Sequence, residues 1–217
     1  SILKSYGQSL LENKNTIEVT DFGAGSKVFK SNTREINKIA KTAGISPKRA
    51  ELLFRITNYF QPDSILEIGT YTGYAALCLA EGLQENGTLD TIDINEELEE
   101  IQQKYFNLSP YSNQIKQHIG DAIAIIPTLN KKFDLVFIDA DKENYINYFH
   151  LIVPFMNKGG IILSDNVLWS GKVLEEVKAN DKSTQILLDY NKIINEDERV
   201  ETVLLPIRDG LTVTRVK

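Results

Sequence analysis

From Gln61 onward, short strand-like runs alternate with stretches of helical spacing, and two of those runs, Phe133–Asp139 and Gly159–Ser164, are continuous apolar stretches. Strands are predicted at Ser64–Ile68, Thr88–Ile94, Ile115–Ile119, Phe133–Asp139 and Gly159–Ser164, with helices running to about Gly82, from Glu96 and from about Tyr145. A run without alternation suits a strand buried on both faces of a parallel sheet. The order therefore predicts an α/β fold: a doubly wound, mainly parallel sheet of about seven strands with helices on both faces. After a polar helical stretch, Ser183–Asn195, two strand-like runs, Val200–Leu205 and Leu211–Val216, flank Pro206-Ile-Arg-Asp-Gly210. The Asp-Gly turn predicts that they pair antiparallel. Residues 1–60 read as mainly helical. Ile36, Ile39 and Ala40 share one face of a helix from Arg34 that Gly44 ends, and Ser46-Pro47 opens a second helix with Ala50, Leu53, Phe54 and Thr57 inward. Asp21-Phe-Gly-Ala-Gly-Ser26 follows no strand, so it reads as a loop and not a phosphate cradle. The 217 residues are expected to form one domain, with 1–60 as a helical cover and 61–217 as the core.

Composition narrows the class. With 42% hydrophobic and 25% charged residues and no apolar run near the roughly 20 residues that span a bilayer, the chain reads as soluble, with no membrane partner. Ser1-Ile-Leu-Lys-Ser-Tyr-Gly7 has no basic stretch leading into a long apolar one, so no secretory signal is expected. The only cysteine, Cys78, lies in an apolar run and reads as a packing residue in a reducing, cytoplasmic protein. A net charge of −6 argues against a broad nucleic-acid surface. Most of the early bases Lys27, Lys30, Arg34, Lys38, Lys41, Lys48, Arg49 and Arg55 read as solvated helix faces, the alternative being a partner surface. The run Glu96–Glu100 reads as a solvated helix start, and His118 and His150 lack ligand spacing.

Two strand ends carry candidate chemistry. The runs ending at Asp139 and at Asp165-Asn166 would release oxygen-bearing side chains at the carboxyl edge of the sheet, where open α/β sheets bind ligands. Three oxygen donors without neighbouring Cys or His suit a hard cation such as Mg²⁺; the alternative is that the two aspartates cap the helices that follow. Lys142, three residues after Asp139, favours a site: a lysine beside a cation and partly desolvated can act as a base. In Ile65-Leu-Glu-Ile-Gly-Thr-Tyr-Thr-Gly-Tyr74, a strand breaks into a glycine-bearing turn, with Tyr71 where a dinucleotide fingerprint has its middle glycine. Asp93 ends the next strand 24 positions after Gly69, where a carboxylate would bind ribose hydroxyls. A glycine turn and a ribose acid without the pyrophosphate motif point to an adenosine ligand such as S-adenosylmethionine; the alternative is that Gly69 and Gly73 serve only close packing. Trp169 is either core or a wall for a planar acceptor.

From Ser64 to Lys217 the chain resembles the class I methyltransferases, specifically the metal-dependent catechol and caffeoyl-CoA O-methyltransferases. The segments that carry the resemblance are Leu66–Tyr74, Asp134–Lys142, Ser164-Asp-Asn-Val-Leu-Trp169 and Leu205–Gly210. It implies that Glu67, Gly69 and Tyr71 line the methionine end of the cofactor, that Asp93 binds ribose and that Gly120-Asp121-Ala122 borders adenine. Asp139, Asp165 and Asn166 would hold Mg²⁺, with Asp139 also beside the cofactor. Lys142 would be the catalytic base, and Lys142, Asn166 and Trp169 would border a catechol-like acceptor. Ala75 stands where the family commonly has Ser, which removes one hydrogen bond to the cofactor carboxylate, worth about 0.5–1.5 kcal/mol. The first sixty residues resemble the lead-in of a different class I branch, as in a chain joined near Gly69–Gly73. Ile45 is assigned to the cofactor cover, and the family's lead-in implies a homodimer. Two other functions stay open: methylation of a hydroxylated base in transfer RNA, and a non-catalytic adenosine-binding module.

Overall fold

The computed structural model describes residues 2–18, 33–42 and 45–217, and the predicted loop at Asp21–Ser26, the bases Lys27 and Lys30 and the helix end at Gly44 lie outside them. In chain order the elements are α1 (Ile2–Glu12), β1 (Thr16–Glu18), β2 (Thr33–Glu35), α2 (Ile36–Thr42), α3 (Pro47–Phe60), β3 (Ser64–Ile68), α4 (Tyr74–Glu81), β4 (Thr88–Asp93) and α5 (Glu99–Leu108). They continue with β5 (Ile115–Ile119), α6 (Ala122–Ile125), β6 (Phe133–Ile138), α7 (Tyr145–Ile152), β7 (Met156–Asp165), α8 (Lys182–Glu196), β8 (Val200–Leu205) and β9 (Leu211–Val216). Seven strands make one sheet in the order β5-β4-β3-β6-β7-β9-β8. All neighbours are parallel up to β7, and β9 pairs antiparallel with both β7 and β8.

The central strands carry apolar residues on both faces because each faces a different core on each side. Leu66, Ile68, Val136, Ile138 and Ile162 pack with Tyr145, Phe149 and Ile152 of α7 and Leu187 and Tyr190 of α8. Their strand neighbours Ile65, Leu135, Phe137, Ile161 and Leu163 pack with Leu77 and Leu79 of α4, Leu53 of α3 and Tyr6 and Leu10 of α1. This is the period-2 alternation of a sheet covered on both faces. The lead-in therefore shares a core with the sheet it covers.

The lead-in departs from expectation at Arg34 and Glu35. They belong to β2, which pairs antiparallel with β1 through Ile17↔Arg34, and the helix starts only at Ile36. A three-residue strand, Thr-Arg-Glu, has no apolar run to betray it. Arg34 is buried, so it is not on a solvated face. Ser46 stands at the N-cap of α3 as expected, but its hydroxyl caps nothing; its carbonyl accepts from Arg49 and Ala50 N–H at 2.9 Å. Cys78 is buried, and burial pushes its thiol up to about 12.

Candidate active site

The carboxyl ends of β3, β4, β6 and β7 meet along one rim. β3 breaks at Gly69, whose φ of +100° lies in the region glycine alone enters freely, and a Cβ there would fall 2.2 Å from the Asp139 carbonyl oxygen. Gly69 N–H donates to the Ile92 carbonyl and Asp139 N–H to the Ile68 carbonyl, both at 2.9 Å. The loop after β3 is thus fastened to β4 on one side and to the turn after β6 on the other. Tyr71 takes φ +52° and donates its N–H to Asp93 Oδ2 at 2.6 Å, while its carbonyl accepts from Gln102 Nε2 at 2.5 Å. Asp93 Oδ1 accepts from Asn95 N–H at 2.9 Å. Burial raises the Asp93 carboxyl, and these backbone donors oppose the rise by favouring the carboxylate.

Glu67 lies beneath this loop and not on its surface: it is wholly buried, accepts from Thr91 Oγ1 at 2.5 Å, and burial raises its carboxyl well above the usual range. Ala75, in the first turn of α4, and Ile45 are half-buried against one apolar cluster with Tyr74. Asp121 is exposed and caps α6, its Oδ1 accepting from Ile123 N–H at 2.9 Å, with Ala122 buried behind it. Gly120 N–H donates to the Asp93 carbonyl at 2.8 Å, which joins this turn to the end of β4. The glycine loop, Asp93 and the Gly120–Ala122 turn therefore gather around one strand end. The group fits an adenosine cofactor.

Asp139 leaves β6 and Asp165 ends β7, and the pairing Ile138↔Ser164 sets them side by side. Neither caps the turn that follows: Asp141 is the N-cap after β6, and the short helical turn after β7 is entered from Leu168. Asp165 is 2% exposed; its Oδ1 accepts from Asn166 N–H at 2.7 Å, and its Oδ2 faces the Arg49 guanidinium from the first turn of α3. Burial lowers the pKa of that guanidinium, and Asp139 is the largest opposing influence, so the two carboxylates act on one cation. Asn166, with φ +59°, is half-buried beside them.

Lys142 Nζ lies 3.6 Å from Asp139 Oδ1 and donates to Tyr145 Oη at 2.5 Å and to the Ala140 carbonyl at 3.1 Å. Burial holds its ammonium below the usual lysine range, with Asp139 pulling the other way. Tyr145 in turn donates to the Asp165 carbonyl at 2.9 Å, which ties the lysine to both strand ends. Trp169 has φ +49° and is half-buried against the α7–α8 core. Its loop is held by Asp209, whose carbonyl accepts from Leu168 N–H at 2.8 Å and whose carboxylate accepts from Ser170 N–H.

Among the described residues no three or more His, Cys, Asp or Glu gather as a metal cluster, so the third protein donor to a cation here would be the Asn166 amide oxygen. Two aspartates and an amide form an all-oxygen set suited to a hard dication. The guanidinium already drawn to Asp165 and Asp139 stands in for such a charge. The residues fit a divalent cation. Arg49 and Tyr145 are absent from the sequence-based site. Arg49, expected on a solvated face, points into the site instead, and its spacing with the half-buried Leu52 and Ile56 was the available signal. Tyr145 was signalled by its place one helical turn beyond Lys142.

The O-methyltransferase family profile matches residues 26–217. It begins well before Gly69–Gly73 and runs through it, so most of the lead-in carries the same family's pattern as the core. A caffeoyl-CoA O-methyltransferase from Nicotiana tabacum is 32% identical over 181 residues, 78% of this chain and 75% of that protein. An O-methyltransferase from Bacillus cereus, solved in complex with S-adenosylhomocysteine, superposes with a TM-score of 0.76 at 27% identity over 80% of this chain and 82% of that one. TomG from Streptomyces achromogenes, an O-methyltransferase involved in tomaymycin synthesis and solved with S-adenosylmethionine, gives a TM-score of 0.75 at 27% identity over 80% and 81%. With its sheet order, its glycine loop and its acidic strand ends, the chain belongs to the O-methyltransferase family.

Proposed function

We propose that this S-adenosylmethionine-dependent O-methyltransferase moves the sulfonium methyl group to a hydroxyl of a catechol-like small molecule, with Mg²⁺ or a similar dication at Asp139, Asp165 and Asn166. The observation that carries this reading is the buried Lys142 amine 3.6 Å from Asp139 Oδ1 and tied through Tyr145 Oη to the Asp165 carbonyl, beside strand-end carboxylates that already face a guanidinium. Lys142, with its ammonium destabilised by burial, takes the proton of the acceptor hydroxyl, and Tyr145 Oη keeps the amine aimed at the rim. The dication, when bound, supplies electrostatic stabilisation for the oxyanion. Asp93 receives the ribose, the Gly69–Tyr71 backbone borders the methionine end, and the Gly120–Ala122 turn borders adenine. Ile45 and Ala75 cover the cofactor, while Trp169 and Asn166 flank the acceptor. The protein's share of the acceleration is positioning, because the sulfonium carries its own leaving group.

The chain would act as one domain over residues 1–217, as a homodimer and in the cytoplasm. The shared core of lead-in and sheet, the exposed apolar residues Val203 and Leu204 on the edge strand β8, and a single buried free thiol support these three points. The test is methyl transfer from labelled S-adenosylmethionine to a panel of catechols and to bulk transfer RNA, with Mg²⁺ and with chelator. Labelled catechol only when metal is present, and unlabelled RNA, are the expected results. Full activity of Asp165→Ala, or undiminished turnover in chelator, would refute the metal assignment.

A further inference from the structure

The carboxylate pair at the strand ends already has a positive partner built into the chain. Arg49 sits on the first turn of α3 with its side chain 17% exposed, and its guanidinium lies against Asp165 Oδ2. Asp139 is the carboxylate that most favours its charge, Arg208 opposes it, and Arg49 itself helps to lower the Lys142 pKa. A guanidinium on Asp165 Oδ2 covers the direction from which another cation would approach, while Oδ1 is engaged by Asn166 N–H. A dication and a guanidinium held together in so poorly hydrated a place would repel each other strongly. They are therefore alternative occupants.

Resting on the divalent-cation reading above, we propose that Arg49 is an internal counter-ion that competes with the dication for Asp165: it neutralises the buried carboxylate in the metal-free protein and leaves it when the metal binds. The metal affinity of the protein is then set partly by the cost of expelling Arg49.

The test uses Mn²⁺ alone, titrated by calorimetry and by electron paramagnetic resonance into the whole protein without cofactor or acceptor. Arg49→Gln is expected to bind Mn²⁺ at least tenfold more tightly than the unaltered protein, with Arg49→Lys in between. In chelator, Arg49→Gln is expected to melt at a lower temperature than the unaltered protein, and saturating Mn²⁺ should narrow or reverse that gap. Equal or weaker Mn²⁺ binding by Arg49→Gln overturns the proposal, as does Mn²⁺ binding that survives in both Asp165→Ala and Asp139→Asn, or no binding by any of the proteins. Methyl transfer to catechol is scored separately: its presence beside unchanged Mn²⁺ affinities overturns the exchange alone, and its absence from every protein overturns the catalytic reading.

Discussion

As the proposed base, Lys142 would be prepared for that task by its surroundings. Its stem is buried, its amine has two neutral oxygen acceptors, and the carboxylate paired with it, Asp139, is 3.6 Å away. Replacing it with arginine keeps the charge but removes any group able to accept a proton near neutral pH. Lys142→Arg is expected to lower kcat by about 10²–10⁴-fold while S-adenosylmethionine binding, followed calorimetrically, stays within a few-fold. Turnover close to that of the unaltered enzyme would remove Lys142 from the chemistry. Glu67 gives a residue-scale effect on stability. Its folded pKa is raised by burial, so its contribution is fully present below its ordinary value near 4.5 and is lost as pH rises toward the folded value. Glu67→Gln should therefore match the unaltered protein in acid and become the more stable of the two above that pH, the gap opening by at most about 1.4 kcal/mol per pH unit. Melting curves across the pH range would show it, and a constant gap would contradict it.

At the scale of elements, the strands from β3 to β9 were legible because short strand-like runs alternate with helical patterns and end at turn-forming or polar residues. Ser64–Ile68, Ile115–Ile119, Val200–Leu205 and Leu211–Val216 fall where the pattern put them. β7 begins earlier, at Met156, because Asn157-Lys-Gly-Gly160 interrupts the apolar run without interrupting the strand. β1 and β2 were illegible, being three residues each with a single apolar residue between them, and the inward turn of Arg49 was signalled only by its spacing with Leu52 and Ile56, its carboxylate partner Asp165 lying far along the chain. The bracing of the glycine loop by α1 is equally long-range. Tyr6 is buried, stacks on Tyr105 with ring centroids 3.8 Å apart, and donates its hydroxyl to the Thr72 carbonyl. Tyr6→Phe keeps the ring and removes the donor. It is expected to cost about 1 kcal/mol of stability and to weaken S-adenosylmethionine binding about 2–10-fold, measured by calorimetry. An unchanged affinity would mean that α1 is packing only.

At the scale of the whole molecule, the sheet is covered on both faces but, among the described residues, ends at β8 in an edge with no further strand. Val203, at 61% exposed, and Leu204 stand there in the open, a hazard that proteins usually blunt with charge or cover. If the proposed homodimer uses this edge, placing lysine at both positions should convert a dimer to a monomer in sedimentation experiments, with the melting temperature little altered. A dimer that survives the change would place the contact elsewhere.

The joint between Gly69 and the Asp139 carbonyl carries a lesson for laboratory evolution of this scaffold. Any side chain grafted at position 69 would push apart the glycine loop and the turn that bears Asp139, so a single substitution there would disturb both the cofactor loop and the proposed cation site together. New acceptor preferences are better sought in the Trp169–Leu174 and Pro206–Asp209 segments, where diversity can accumulate without prising open that seam.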